Sequence, residues 1–189
     1  MPATILSAFK KFPGESAIIG RLLAGYSTLE LDLMNCVQMG TGNFDTALKR
    51  LFRVRGETKR VNTGERLGKE DYRKYRLGTA FGEAIGAMRY CLRVRNQYAH
   101  CVWWDDLSGK LAFANLEDAA SISATVRDLS NLPTLYVDVE LLNLQEGYFV
   151  YVDHLFRWIN FERRKRAGAL PKNPHSKPSR MTQPPLHIQ

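Results

Sequence analysis

The one stretch of this 189-residue chain that reads as chemistry is Arg95-Asn96-Gln97-Tyr98-Ala99-His100, where guanidinium, carboxamide, phenol and imidazole groups fall within six residues. Helical spacing decides which of these side chains can meet. At about 100° per residue, Arg95 lies in line with Phe81, Met88, Leu92 and Ala99, on an apolar face. A cation on such a face needs a partner. His100 is about 140° further round on an ideal helix. The two therefore converge only if the helix ends or loosens before His100, or if the opposing residue comes from another chain. A second stripe, Gly82, Gly86, Arg89, Arg93, Asn96 and His100, follows four- and three-residue steps. Its small residues would let another element approach, and its polar ones would present donors to a ligand. The alternative is a solvent-facing strip that happens to contain two glycines.

The elements that must position these groups are mainly helical. From Glu15 to about Met39 the residues Ile18, Leu22, Tyr26, Leu29, Leu33, Cys36 and Val37 mark one face of a long helix, with Ser16 as its cap. Gly40-Thr41-Gly42-Asn43 breaks that pattern. A second helix is predicted from Phe44 to Arg55 with Leu48, Leu51 and Phe52 inward, closed by Gly56. Residues 57 to 76 are polar, mixed in charge and interrupted by Gly64 and Gly68, which predicts a mobile loop or short helical pieces. A third helix, about Leu77 to Tyr98, stacks Phe81, Ile85, Met88 and Leu92.

After His100 the period becomes extended. Cys101 to Trp104, the turn Asp105 to Lys110, and Leu111 to Leu116 predict a β-hairpin, and residues 117 to 137 read either as a short helix or as a third strand near Thr134 to Val137. Asp138 can cap a last helix to about Arg166, apolar around so much of its circumference that it meets two surfaces, the second being either more of this chain or another subunit. The fold expected is a helical domain over residues 1–166, with the hairpin near 101–116 inserted after the third main helix. The Pro-rich basic tail, 167–189, is expected to be disordered.

Charge and cysteines narrow the partners. Of the net +8, residues 49–76 carry 11 Lys/Arg against 4 Asp/Glu, and residues 163–189 carry 7 against none, so the rest of the chain is acidic. Two basic segments on an acidic body suit a polyanion, nucleic acid above all; the alternative is a solvated surface with a basic tail. Cys36, Cys91 and Cys101 are odd in number and far apart, with no Cys-x-x-Cys and no zinc spacing, which predicts a reduced compartment and no structural metal. The N-terminus places its lysines after a short apolar run, the reverse of a secretory signal, and Arg21, Glu30 and Asp32 interrupt the most apolar region. The expectation is a cytoplasmic protein that does not enter the membrane.

Arg95-Asn96-(three residues)-His100 resembles the signature of HEPN domains, an Arg followed after four to six residues by His, with a polar residue, often Asn, directly after the Arg. The setting is similar too, since that family consists of helical bundles with the motif at or just after the end of a core helix. The resemblance implies a metal-independent endoribonuclease without cofactors, working as a homodimer whose motifs face one cleft. A toxin or defence effector with an antitoxin or other regulatory partner is one such role. In physical terms it implies that His100 moves a proton at the RNA 2′-hydroxyl or the leaving oxygen, and that Arg95 holds the phosphate and its transition-state charge. Asn96 would orient the imidazole or donate to a phosphate oxygen, and Arg89 and Arg93 would bind substrate. The products would be a 2′,3′-cyclic phosphate and a 5′-hydroxyl. His100 is followed by Cys101 and Val102, not by the His-x-Tyr pattern of one toxin branch, which puts that branch's tyrosine modification in doubt here.

Other candidates carry less. Cys101 beside His100 is read as a packing cysteine, because neighbouring side chains point apart. Trp103 and Trp104 either stack on a base or fill the core under the hairpin. Glu83 either pairs with a cation or is solvated, and His154, His175 and His187 fall on a surface or in the tail. The chain has no Walker loop, dinucleotide glycine pattern, His-Glu-x-x-His or serine elbow. The second function class is a non-catalytic helical module that dimerises and binds RNA or protein. A DNA-binding regulator ranks last, for want of a helix-turn-helix.

Overall fold

Where apolar side chains recur at helical spacing the chain is helical, and where they alternate it is extended. In the computed structural model, which describes residues 7–121 and 132–188, the order is α1 (Ala8–Lys11), α2 (Pro13–Thr41), α3 (Phe44–Phe52), α4 (Glu57–Lys74), α5 (Gly78–Ala99), β1 (Cys101–Trp104), β2 (Leu111–Asn115), α6 (Leu116–Ser121), β3 (Leu135–Val137) and α7 (Val139–Arg166). The protein is mainly α with one small antiparallel sheet. Among the described residues no helix is long and apolar enough to cross a membrane.

The chain divides into two compact units. One comprises the described parts of Met1–Ala24, Arg93–Gly147 and Pro184–Gln189, the other Gly25–Leu92 and Tyr148–Gln183, and α2, α5 and α7 contribute to both.

In the first unit the sheet runs β1-β2-β3, with Cys101 opposite Asn115, Trp104 opposite Ala112, and Phe113 opposite Leu135. The hairpin turn is set by two aspartates. Asp105 Oδ1 accepts the Leu107 N–H and Asp106 Oδ1 the Ser108 N–H, both at 3.0 Å, and Leu107 and Gly109 take positive φ. β2 is buried from Leu111 to Ala114. Trp103 packs against Phe9, Tyr98 and Phe113, and Trp104 against Ala114, Ala119 and Leu132, so both hairpin tryptophans serve the core. Pro13, not Ser16, opens α2. Ser16 lies in the first turn and its hydroxyl donates to the Pro13 carbonyl at 2.9 Å. Asp138 caps α7 by accepting the Leu141 N–H at 2.9 Å.

The second unit corrects the expectation of a loop at 57–76, because α4 is an 18-residue helix whose buried face is Val61, Gly64, Gly68 and Tyr72. The two glycines serve as contact surface. A Cβ on Gly64 would lie 2.6 Å from Leu33 Cδ2, and one on Gly68 2.5 Å from Phe81 Cζ. Tyr72 stacks on Phe81 with ring centroids 4.4 Å apart. A helix that packs through glycine shows no apolar stripe, hence the misreading. Part of the positive charge here is internal. Arg60 pairs with Glu30, and Arg163 grips Asp71 with two 2.8 Å bonds while lying over the Tyr75 ring.

α3 also differs from expectation. Ala47 and Leu51 are its buried residues, whereas Phe44, Leu48 and Phe52 are 50%, 38% and 41% exposed. The described residues beyond Arg166 form no helix and are tied to the rest of the chain by specific bonds. Asn173 donates to the Trp158 carbonyl at 3.0 Å and Lys177 lies over the Trp158 ring, both in the second unit. In the first unit, Ile188 exchanges two backbone hydrogen bonds with Tyr136 of β3. A proline-rich segment cannot satisfy its own carbonyls, and side-chain amides do so instead.

Candidate active site at the end of helix α5

All of Arg93, Arg95, Asn96 and His100 lie in the first unit. α5 stops at Ala99 because Cys101 enters β1, and His100 occupies the turn between them. The helix thus ends before His100. Within this last stretch roles alternate with direction. Val94, Gln97 and Tyr98 are buried, Arg95 and Asn96 half-buried, and Arg93, Ala99 and His100 exposed.

The half-buried arginine is tied to its neighbour, Arg95 Nη1 donating to Asn96 Oδ1 at 3.1 Å. That bond engages the carbonyl end of the Asn96 amide and leaves its NH2 group as the end that can donate to a ligand. The imidazole of His100 is 45% exposed and turns toward a residue that sequence reasoning did not single out. Its Nε2 stands 3.6 Å from Glu117 Oε1. Arg95 and Asn96 are therefore brought together, and His100 is paired with Glu117.

Glu117 arrives there through a chain of local causes. The β1–β2 register sets Asn115 opposite Cys101. Asn115 Oδ1 then accepts the N–H groups of Glu117 and Asp118 (2.8 and 3.1 Å), capping α6. Its Nδ2 donates to the Gln97 carbonyl at 3.2 Å, and the His100 carbonyl accepts the Leu116 N–H at 3.0 Å. One buried asparagine thus joins the start of α6 to the end of α5. Extending the hairpin register one residue past Asn115 would have pointed to Leu116 and Glu117 as neighbours of His100.

Cys101 is no nucleophile here. Its Sγ donates to the Gln97 carbonyl, and burial, aided by Asp118, pushes its thiol up to about 12, so it stays protonated at neutral pH.

The rest of the polar stripe lies in the second unit. Arg89 is engaged by Glu65 at 2.6 Å and Asn62 at 2.9 Å, with its side chain 44% exposed. Among the described residues a Cβ at Gly82 or Gly86 would meet nothing within 4 Å. Glu83 stands 3.9 Å from Arg180. In the same unit lies a pair of carboxyl groups that the sequence did not signal. Asp32 is raised to about 7 by burial, by a hydrogen bond with Asp153 and by its charge, against the opposing effect of Arg157.

Compared with protein-family models, curated proteins and solved structures, the chain matches none.

Proposed function

We propose that the protein is a metal-independent endoribonuclease of HEPN type acting through Arg95, Asn96 and His100. The observation that carries this reading is the exposure of the His100 ring, just past the end of α5, with a carboxylate 3.6 Å from Nε2. A ring walled off in the core has no access to a polymer. This one does, and the Glu117 carboxylate beside it gives the imidazole a polar neighbour on its Nε2 side.

The reaction follows from these groups. A neutral His100 takes the proton of the RNA 2′-hydroxyl, the 2′-oxygen bonds to phosphorus, and the bond from phosphorus to the 5′-oxygen breaks. The leaving oxygen takes its proton from water or from the imidazolium of a second subunit. Arg95 and the Asn96 NH2 group bind the non-bridging oxygens, whose charge grows in the transition state. Exposed Arg93, on the same helix, contacts the flanking backbone. A role as toxin or defence effector, with a neutralising partner, is one setting for such an enzyme.

The test is cleavage of single-stranded RNA in EDTA. Wild type is expected to yield 2′,3′-cyclic phosphate ends, with His100→Ala reduced about 10²- to 10⁴-fold and Arg95→Ala strongly reduced. Equal activity in all three ends the reading.

A non-catalytic interaction module is favoured by a different observation, the exposed apolar row Phe44, Leu48 and Phe52 on α3. It predicts RNA or protein binding without turnover and full tolerance of His100→Ala.

A further inference from the structure

The end of α5 is gripped from inside by the C-terminal segment, and the grip falls on two residues between Asn96 and His100. Gln97 Nε2 donates to the Leu186 carbonyl at 2.8 Å, and the Tyr98 hydroxyl reaches the same oxygen at 3.4 Å. From α7, Gln145 Nε2 donates to the carbonyls of Pro185 and Leu186 at 2.8 and 2.9 Å. The orientation of this last amide is not free, because Gln145 Oε1 accepts the Tyr98 hydroxyl at 2.6 Å. Gln145 is fully buried, and Gln97 and Tyr98 nearly so. Two buried amides and a phenol are an expensive way to pack a core unless their partners are provided, and the strap carbonyls provide them. Ile188 completes the hold by pairing with Tyr136 at the edge of β3.

We propose that Pro184–Ile188 is a clasp that sets the position of the α5 end, with Gln97 and Gln145 as positioning residues for Arg95, Asn96 and His100. The catalytic half of this inference rests on the ribonuclease reading. Releasing the clasp leaves every reacting group in place in the sequence but loosens the turn that carries it. A misplacement of about an ångström is enough to cost catalysis much more than binding.

The experiment uses the full chain and three substitutions. Gln145→Glu keeps the acceptor for Tyr98 but sets a carboxylate oxygen against two carbonyls. Gln97→Met removes one donor at constant shape, and Tyr98→Phe removes only the hydroxyl. Amide exchange followed by mass spectrometry is expected to quicken in Gln145→Glu over both 184–188 and 94–100, with α4 unchanged. On single-stranded RNA, kcat is expected to fall about tenfold or more with KM within about twofold. Tyr98→Phe, which retains both Gln145 donors, should keep most of the activity. Faster exchange confined to 184–188 with unchanged kcat overturns the proposal. So does a loss of activity that merely follows the unfolded fraction and returns on cooling. If wild type and His100→Ala cleave alike, the ribonuclease reading fails and the catalytic half of this proposal with it, while the exchange comparison still decides whether the clasp sets the α5 end.

Discussion

Replacing Gly68 by Ala tests the least expected feature of the fold, the close approach of α4 to α5. In an open helix Gly→Ala stabilises by about 1 kcal/mol, so the substitution begins with a gain. At Gly68 the added Cβ would lie 2.5, 2.9 and 3.3 Å from Cζ, Cε1 and Cε2 of Phe81. Carbon atoms in good contact stand about 3.5–4.0 Å apart, so the ring must retreat by about 1 Å. It has little room to do so, being buried and stacked face to face on Tyr72. Overpacking costs about 1–3 kcal/mol, and displacing a buried, stacked ring belongs in the upper part of that range, about 2–3 kcal/mol, which exceeds the gain and leaves a net loss of about 1–2 kcal/mol. Gly82→Ala, on α5 with nothing within 4 Å of the new atom, keeps its gain. The two variants should differ by roughly 2–3 kcal/mol. In denaturant titrations Gly82→Ala shifts the midpoint up and Gly68→Ala down, and in melting curves they separate by about 5–10 °C. A rise in both midpoints would show that α4 does not press on Phe81, and the loop that its composition suggests would return.

The other expectations are shorter to state. Asn115→Ala removes the α6 cap and the bond to the Gln97 carbonyl together, so denaturant unfolding should show a loss of about 2 kcal/mol. Asp32, whose folded pKa is raised to about 7, is stabilised in its protonated form below the ordinary aspartate range. That stability is lost as pH rises from about 4 through 7, and Asp32→Asn should flatten the decline in a series of melts from pH 4 to 8. Cys101 should resist iodoacetamide in the native protein at pH 7.5 and react on unfolding, as followed by mass spectrometry.

Elements that carry their own apolar stripe were legible in the sequence, and those that borrow their partners were not. α2, α5, α7 and the hairpin show the spacing of Leu22, Phe81, Leu155 or Phe113 directly, and their bounds fall within a few residues of expectation. α4 meets its neighbours through Gly64 and Gly68, so its inward face reads as a break. On α3 the choice between two apolar faces is made by packing, and burial went to Ala47 and Leu51 instead of Leu48 and Phe52. The tail's contacts are not legible either, because its carbonyls find donors on Gln97 and Gln145, 89 and 40 residues away in sequence, and no local pattern reports such a pairing. The same holds at the candidate site. Arg95, Asn96 and His100 stand out by spacing, whereas Glu117 and Asn115 enter through sheet register and a helix cap.

The end of α5 separates structural from chemical residues within a single turn, and this makes the functional test clean. Gln97 and Tyr98 face inward, and they are tied to four residues, Asn115, Cys101, Gln145 and Leu186. His100 faces outward, and its ring meets Glu117 at 3.6 Å with the two side chains 45% and 66% exposed. A surface pair of that kind is worth roughly 0–1 kcal/mol. His100→Ala should therefore leave the melting temperature nearly unchanged, whereas Gln97→Ala, which strips a buried donor from the Leu186 carbonyl, should lower it. If RNA cleavage is lost in a His100→Ala protein that melts like the wild type, the loss belongs to the imidazole itself and not to the fold that presents it.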